Sequence, residues 1–414
     1  MRRRVVVTGV GVVSPVGNDV PSFWDSLLRG RSGVDFIRDF PTDKLRSDIA
    51  ASVRDFDVSP YLSAKEAEIY GRVTHFSLAA AAEAMAMAGL DRKDAADRTR
   101  IGCLMSTGQG SVDVFEEQIG RSIERGPRAV SPYFIPGVMP NGSAALISMR
   151  YGLMGPSYSL ASACATGTHS IATCAMLIEA GEADAMIAGG GEAATRLNTV
   201  AGFGNARALA RAFEGDPTRA SRPFDKRRTG FVMGEGAGAL VLEEEEHAKQ
   251  RGAVPLAVLG GFGMTTDAEH ITRPHPEGLP LSLALSRAIA RAGIGPEAID
   301  YINPHATSTT QGDLAEILAL RRVFGDRLAQ IPISATKSMV GHLLGGAGAA
   351  ETIAVVLSLR DQALHPSINV DELDPELGAL DVVREKRSAE VRWAVKCSAG
   401  FGGHNCALVL GRAS

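Results

Sequence analysis

The chain carries one pattern of residues twice, in the same order in its two halves. Each copy opens with a run of apolar, often β-branched residues that ends in Gly-x-Gly, at residues 5–11 and again at 257–263. An Ala-rich helix pattern, a buried-strand pattern, a strand-to-helix junction and a closing apolar strand follow in both copies; the pairs are 83–90 and 287–294, 101–105 and 299–303, 159–166 and 331–342, and 239–242 and 407–410. Five matches in one order are an improbable accident, so we predict a duplicated fold.

The repeated pattern also indicates the fold class. Apolar strands that alternate with helices are typical of α/β proteins, whose mostly parallel sheets are covered by helices on both faces. A chain of 414 residues exceeds the size at which a single core stops growing. We therefore predict two halves, 1–255 and 256–414, that pack around a pseudo-two-fold axis. Ligands of such folds bind beyond the carboxyl ends of the strands, so the residues that follow those strands should face one cleft.

Charge and cysteine content exclude several classes of protein. A net charge of −4 gives no reason to expect nucleic acid or an anionic membrane as a partner. The five cysteines are odd in number and lack CxxC spacing, which argues against a disulfide framework or a zinc site and favours a reducing compartment. No signal-peptide pattern opens the sequence, and no run of about 18 apolar residues is present. We expect a cytoplasmic protein.

Cys164 is the first candidate for chemistry. It lies where a predicted strand ends and a helix over 170–180 is about to begin. The positive end of a helix dipole favours a thiolate, so we expect a lowered pKa and a nucleophilic sulfur. A cysteine is more often a small buried apolar residue. We keep that interpretation for the other four, Cys103, Cys174, Cys397 and Cys406.

Two histidines, His305 and His342, each follow a predicted strand among small residues. A single histidine is more often structural, but two imidazoles that donate N–H groups to one thioester oxygen could stabilise an enolate. Lys337, five residues before His342, could polarise the site and hold a histidine neutral. Glu351, on the Ala-rich helix pattern 347–359, fits either a buried partner or a solvated face.

Two glycine-rich segments complete the candidates. The segment 398–405 lies between two predicted strands, and its amide groups could supply half of an oxyanion hole, although a plain tight turn explains it equally. The Gly9-Val10-Gly11 segment suggests a dinucleotide fingerprint. We reject that interpretation, because the third glycine falls at 17 rather than 14 and Pro15 interrupts the expected helix start.

Nearly the whole chain resembles the elongating β-ketoacyl-acyl-carrier-protein synthases, above all the synthase II type and its relatives in type II polyketide systems. Five motifs carry the resemblance: 163–167 (Ala-Cys-Ala-Thr-Gly), 222–227 (Arg-Pro-Phe-Asp-Lys-Arg), 234–238 (Gly-Glu-Gly-Ala-Gly), 305–309 (His-Ala-Thr-Ser-Thr) and 337–342 (Lys-Ser-Met-Val-Gly-His). The resemblance implies a thiolase-like α/β fold, layered αβαβα, with two mixed, mostly parallel sheets.

The resemblance also implies roles for single residues. Cys164 would accept the acyl chain from the phosphopantetheine arm of an acyl carrier protein, and His305 and His342 would stabilise the enolate formed as CO2 leaves malonyl-carrier. Lys337 and Glu351 would support them. The backbone amides of Cys164 and Phe401 would form the oxyanion hole, with Phe401 as a gate. No metal and no tightly bound cofactor are implied. Carrier proteins are acidic, and the basic docking candidates are Lys65, Arg128 and Arg207.

Departures from the family pattern concern the acyl pocket, for which the candidates are Gln109, Ala163 and Ala399. Gln109 stands where an aliphatic residue is usual, and Ala399 replaces an aromatic residue. They indicate a reshaped pocket. Two pathways therefore stay open: a homodimeric synthase of fatty-acid synthesis, and, slightly favoured, the catalytic subunit of a polyketide or polyene system paired with a cysteine-less chain-length factor. A non-catalytic chain-length partner and a thiolase are disfavoured.

Overall fold

The computed structural model describes residues 3–92 and 94–413. Within these ranges it contains fourteen strands: β1 Val5–Val13, β2 Asp35–Phe36, β3 Ile49–Ala50, β4 Ile101–Ser106, β5 Ala185–Glu192, β6 Gly236–Glu244, β7 Ala257–Thr266, β8 Tyr301–Asn303, β9 Pro332–Ile333, β10 Ala363–Leu364, β11 Asp381–Val382, β12 Arg387–Ser388, β13 Trp393–Gly400 and β14 His404–Arg412. The described ranges also contain thirteen α-helices: α1 Val20–Leu28, α2 Ala64–Ile69, α3 Arg72–Met87, α4 Val112–Arg125, α5 Phe134–Val138, α6 Gly142–Tyr151, α7 Thr166–Glu179, α8 Leu197–Asn205, α9 Glu245–Gln250, α10 Leu279–Arg291, α11 Thr310–Phe324, α12 Lys337–Val340 and α13 Ala347–Asp361.

The order of strands in the main sheet repeats about its centre. The order is β11-β9-β8-β13-β14-β7-β1-β6-β5-β4. Outward from the β1–β7 pair, both directions show two antiparallel pairings followed by a parallel one, through β6, β5 and β4 on one side and β14, β13 and β8 on the other. The predicted duplication is confirmed. The division of the chain at residue 255 stays a prediction.

The predicted mixture of parallel and antiparallel strands is confirmed, but the strands form one main sheet instead of two, and parallel pairs are not the majority. One sheet of ten strands runs through both halves, because β1 and β7 pair antiparallel at Val5–Leu259, Val6–Val258 and Val7–Ala257. Five of the nine neighbouring pairs are antiparallel. For β13 and β14 the reason lies in their connection: a tight turn joins them, and it reverses the chain where a crossover helix would keep it parallel.

Helices cover both faces of this sheet and also fill the space between its halves. The central hydrophobic cluster joins residues of α7 and α13 with strands from both halves, whereas α3 and α10 lie in separate outer clusters. Residues 347–359 of α13 are buried at every position, as expected for a helix that is apolar all round. The arrangement is the predicted αβαβα layering. No helix in residues 3–92 or 94–413 is long and apolar enough to cross a membrane.

The repeated Gly-x-Gly has a packing role. A Cβ at Gly11 would lie 2.0 Å from the carbonyl oxygen of Ala80 in α3, and one at Gly263 would lie 2.0 Å from that of Ala284 in α10. Each outer helix therefore approaches its strand more closely than any side chain would allow. Both helices are then closed by a left-handed glycine, Gly89 (φ 66°) and Gly293 (φ 73°), as the Ala-Gly-apolar endings predict.

Candidate active site

Cys164 lies in a tight turn that leads directly into a buried helix. The 3-10 turn Ala163–Ala165 is followed by α7 from Thr166, four residues earlier than the predicted start, and the segment before the turn forms no regular strand. Ala163 has the left-handed φ of 50°. The Thr166 hydroxyl closes the turn by donating to the Ala163 carbonyl at 2.7 Å. This turn holds the thiol at the N-terminal end of α7, and Cys164 is 9% exposed there.

The expected lowering of the thiol pKa is wrong. Burial raises the pKa of Cys164 to about 11, although the Lys337 ammonium and the backbone N–H of Phe401 act in the opposite direction. Loss of water around a thiolate therefore outweighs the Lys337 charge and the nearby backbone amides. The backbone N–H of Phe401, which follows the end of β13, therefore lies at the sulfur of Cys164.

The loop after β8 places His305 beside a lysine and a glutamate. The backbone N–H groups of His305 and Ala306 donate to the carboxylate of Glu316 in α11, at 2.6 and 2.7 Å. Lys337 Nζ lies 3.3 Å from His305 Nδ1 and 2.5 Å from its carbonyl oxygen. An ammonium only donates, so Nδ1 is the acceptor and the ring proton lies on Nε2.

His342 reaches the same tautomer by a different contact. The backbone N–H of Leu344 donates to His342 Nδ1 at 3.3 Å, which leaves the proton on Nε2. This Nε2 is buried and has no hydrogen-bond partner among the described residues. Burial, followed by the charge of Lys337, lowers the pKa of His305 and His342 well below the usual value. Both rings are therefore neutral, and their centroids lie 5.2 Å apart at 82°.

A buried group of three charges lies behind the histidines. Lys337 bonds one carboxylate oxygen of Glu351, and Lys396 lies 2.7 Å from the other. Both lysines and the glutamate are at most 2% exposed. This finding decides between the two interpretations of Glu351 in favour of a buried partner. Burial lowers the pKa of Lys337, and the Glu351 carboxylate opposes that change.

Cys164, His305 and His342 line one cavity of about 460 Å³, together with Ala399 and Phe401. Phe401 is 36% exposed and precedes two glycines of positive φ, Gly402 and Gly403. Its ring lies 6.1 Å from Phe203, which begins a row of aromatic rings that continues through Phe231 to His342. The exposed side chains of Arg207 and Arg273 lie at the mouth of the cavity.

The remaining predicted residues lie elsewhere. Gln109 is exposed, with Oε1 3.5 Å from the Thr199 hydroxyl of α8, and neither it nor Ala163 belongs to the cavity wall. Lys65 in α2 and Arg128 in the 3-10 turn Pro127–Ala129 are exposed and outside that wall. Of the pocket and docking candidates, the structure brings Ala399 and Arg207 to the cavity. The roles of all six stay predictions.

Sequence reasoning missed three buried residues that hold the site. Glu316 binds the His305 loop, and Lys396 shares Glu351 with Lys337. Glu192 accepts hydrogen bonds from the amides of Gly108, Gln109 and Gly345 and from the Thr107 hydroxyl. Burial raises the pKa of Glu192 and of Glu316 to about 7. The signal available in the sequence was a charged residue in an otherwise uncharged strand: Lys396 lies within β13 and Glu192 ends β5. Glu316 lies in α11, where no such signal marks it.

Comparisons with known proteins match nearly the whole chain to one family. A family model described as "Beta-ketoacyl synthase, N-terminal domain" matches residues 2–248, and its C-terminal counterpart matches residues 256–371. The chain belongs to the β-ketoacyl synthase family. A relative named 3-oxoacyl-[acyl-carrier-protein] synthase 2, from Coxiella burnetii, is 42% identical over 411 residues, which is 99% of each chain. A protein of the same name from Vibrio harveyi is 44% identical over 412 residues, 99% of this chain and 98% of the relative.

Solved structures of other β-ketoacyl synthases share the fold over the full length. A β-ketoacyl synthase from Burkholderia phymatum superposes with a TM-score of 0.93 at 33% identity and covers 100% of both chains. A ketosynthase described as a type II PKS complex with its acyl-carrier protein, bound to the hexaketide, gives 0.92 at 32% identity, again with 100% of both chains covered. The ishigamide ketosynthase/chain length factor also gives 0.92, at 33% identity over 100% of both chains.

Proposed function

We propose that the protein is a β-ketoacyl-[acyl-carrier-protein] synthase. It joins malonyl-carrier to an acyl chain held on Cys164 and lengthens that chain by two carbons with loss of CO2. One observation carries the proposal: a buried thiol and two neutral histidines, each with its proton on Nε2, line the same cavity. The names of relatives that are 42 and 44% identical over almost the whole chain support it.

The first step is acyl transfer to Cys164. The sulfur attacks the thioester carbonyl of an acyl-carrier, and the departing phosphopantetheine sulfur takes up the proton that the thiol gives up. The backbone N–H groups of Cys164 and Phe401 stabilise the negative oxygen of the intermediate, because both lie at the sulfur. A thiol whose pKa is about 11 is protonated at neutral pH, so deprotonation accompanies the attack.

The second step forms a carbanion from malonyl-carrier. His305 and His342 each donate an Nε2–H group to the thioester oxygen of the malonyl unit. When the C–C bond to the carboxylate breaks, CO2 leaves and its bonding electrons form an enolate whose oxygen both histidines stabilise. Loss of one such donor typically lowers kcat by about 10²- to 10³-fold.

The third step makes the new C–C bond. The enolate carbon attacks the carbonyl of the acyl chain on Cys164, and the thiolate leaves and takes a proton from solvent. The product is a β-ketoacyl-carrier, one CO2 and the free thiol. Each step uses groups of the chain and of the carrier-bound substrates, so we propose that no tightly bound cofactor takes part.

We propose that an acidic acyl carrier protein docks at the mouth of the cavity. The exposed Arg207 and Arg273 lie there, and guanidinium groups suit carboxylate and phosphate partners. Lys65 and Arg128 remain further candidates. We also propose a dimer, because Phe115, Ile119 and Ile123 form an exposed apolar row on α4. All five cysteines are free, which supports a cytoplasmic location.

A second candidate function is the catalytic subunit of a type II polyketide system that pairs with a chain-length factor. Ala399 favours it, since a small residue in the cavity wall leaves room beside Phe401. The ketosynthase/chain length factor found among the structural relatives supports the same alternative. A homodimer that elongates saturated chains unaided would exclude it.

The test is a turnover assay with carrier-bound substrates. The purified protein is incubated with malonyl-carrier and a panel of acyl-carriers of different length and saturation, and the products are identified by intact mass. We expect a β-ketoacyl-carrier two carbons longer, and none from Cys164→Ala. If no acyl-carrier is extended, or if Cys164→Ala extends them at the wild-type rate, the proposed function is wrong.

A further inference from the structure

Lys396 is a buried lysine that the reaction described above does not use. It lies in the middle of β13 and is 0% exposed. Its Nζ lies 2.7 Å from Glu351 Oε2, an ion pair rather than an aligned hydrogen bond, and 3.0 Å from the Ser398 hydroxyl. It also bonds the Cys397 carbonyl oxygen. Desolvation makes a buried ammonium unfavourable, so a fold that keeps one in its interior needs compensating contacts or a role for it.

Within the group formed by Lys337, Lys396 and Glu351 the charges do not cancel. Two ammonium groups, Lys337 and Lys396, share a single carboxylate, which leaves one positive charge in a region closed to water. The charged or titratable groups that surround them come from several elements: Asp313 and Glu316 from α11, Tyr301 from β8, Cys397 from β13, Cys406 from β14, His365 near α13, and His305 and His342 at the cavity.

Direct contacts connect Lys396 to the reacting groups. Lys396 binds Glu351, Glu351 binds Lys337, and Lys337 Nζ lies 3.3 Å from His305 Nδ1. A second connection runs through Ser398, whose hydroxyl lies 2.7 Å from that of Thr168 in α7. Since α7 follows Cys164 and β13 ends at Gly400, Lys396 sits where the elements of the thiol, the oxyanion hole and the histidine pair meet.

We propose that Lys396 is a positioning residue for the condensation, which supplies the second positive charge on Glu351 and thereby keeps His305 and His342 as neutral Nε2–H donors. The inference rests on the proposed function. Without Lys396, Glu351 and Lys337 form a neutral pair. The histidines then take up a proton more readily, and the enolate loses part of its stabilisation.

Lys396→Met tests the proposal, because methionine keeps the length of the side chain and removes its charge. We expect kcat for malonyl-carrier decarboxylation and condensation to fall by about 10- to 100-fold, less than for a direct donor. KM for the carriers should change little. The acid limb of the kcat profile should move toward neutral pH, since the folded-state pKa of the histidines rises when a nearby positive charge is removed. Acylation of Cys164 should stay within about twofold, because it does not form the enolate.

Two further variants separate charge from structure. Lys396→Arg keeps the charge and should keep the acid limb at its wild-type position, whereas Lys386→Met, at an exposed lysine, is the matched control and should match wild type. If Lys396→Met does not fold, Lys396→Arg decides alone: an acid limb moved toward neutral pH would overturn the proposal. In the folded methionine variant, an unchanged kcat or an unchanged pH profile would do the same. The proposed function fails separately, when wild type itself makes no product.

Discussion

Replacing Gly11 by Ala places a Cβ atom 2.0 Å from the Ala80 carbonyl oxygen and 2.8 Å from the Ala84 amide nitrogen. Both are backbone atoms of α3, so no side-chain rotation relieves the clash, and the helix must move away from β1. Overpacking of this kind typically costs about 1–3 kcal/mol. We expect the upper part of that range, because the α3 face that would be displaced is buried along most of its length.

Because the fold is duplicated, the equivalent substitution can be made in the second half, at Gly263. A Cβ at Gly263 would lie 2.0 Å from the Ala284 carbonyl oxygen of α10. We expect Gly263→Ala to lower the free energy of unfolding by a similar amount, and the two costs to add within about 0.5 kcal/mol because the sites share no partners. The control is Gly120→Ala in α4, where a Cβ would meet nothing within 4 Å. Alanine is the better helix former, so this variant should gain about 0.5–1 kcal/mol.

Urea unfolding followed by tryptophan fluorescence measures these differences. The two tryptophans, Trp24 and Trp393, lie in α1 and β13, one in each half. The shift in midpoint multiplied by an unchanged slope gives the change in free energy of unfolding. If Gly11→Ala and Gly263→Ala both stay within about 0.5 kcal/mol of wild type, the glycines do not set the helix–strand distance and the packing argument is wrong.

Three further predictions concern the site. His342→Ala removes one of the two enolate donors, and we expect kcat for malonyl-carrier decarboxylation to fall by about 10²- to 10³-fold with KM little changed; an unchanged kcat would contradict its role. Iodoacetamide alkylates Cys164 in its thiolate form and not in its thiol form, and burial raises the pKa of this thiol to about 11. Alkylation of Cys164 in the free enzyme should therefore accelerate about tenfold per pH unit from pH 7 to pH 9. A plateau in the alkylation rate near pH 7 would contradict that pKa. Replacing Arg207 and Arg273 by Glu should raise KM for an acidic carrier at low salt far more than it changes kcat, and the effect should shrink as salt increases; a KM equal to wild type would exclude this mouth as the docking surface.

The parts of the fold that were predictable depend on local pattern. Small residues at 5–11 and 257–263 recur because a helix lies against each strand, so the duplication is visible in the sequence. The direction of the strands, in contrast, was not predictable from local pattern. β6 follows a long segment, residues 206–235, in which the structure forms no α-helix, and nothing in that segment reveals that β6 will run antiparallel to both of its neighbours.

The site was predictable where residue type restricts chemistry. A cysteine before a helix and two histidines after predicted strands identify the thiol and imidazole groups, although His342 in fact follows α12. The structure brings Cys164, His305 and His342 to one cavity. That the histidines are neutral was predictable from the nearby Lys337, although burial contributes more to it. The ionisation of the thiol was not predictable. The raised pKa of Cys164 depends on how completely the surrounding elements exclude water. The role of Lys396 depends on Glu351 reaching it from another element.

The central claim is that Cys164 holds the acyl chain while His305 and His342 act on malonyl-carrier. The mass of the protein after exposure to acyl-carrier tests this claim most directly. The measurement compares wild type, Cys164→Ala and His342→Ala, first with acyl-carrier alone and then with malonyl-carrier added. We predict one acyl group on wild type and on His342→Ala, mapped to Cys164, and none on Cys164→Ala. After malonyl-carrier is added, the acyl group should leave wild type as β-ketoacyl-carrier and remain on His342→Ala. Product formation by Cys164→Ala, or by wild type without any acylated Cys164, would contradict the account.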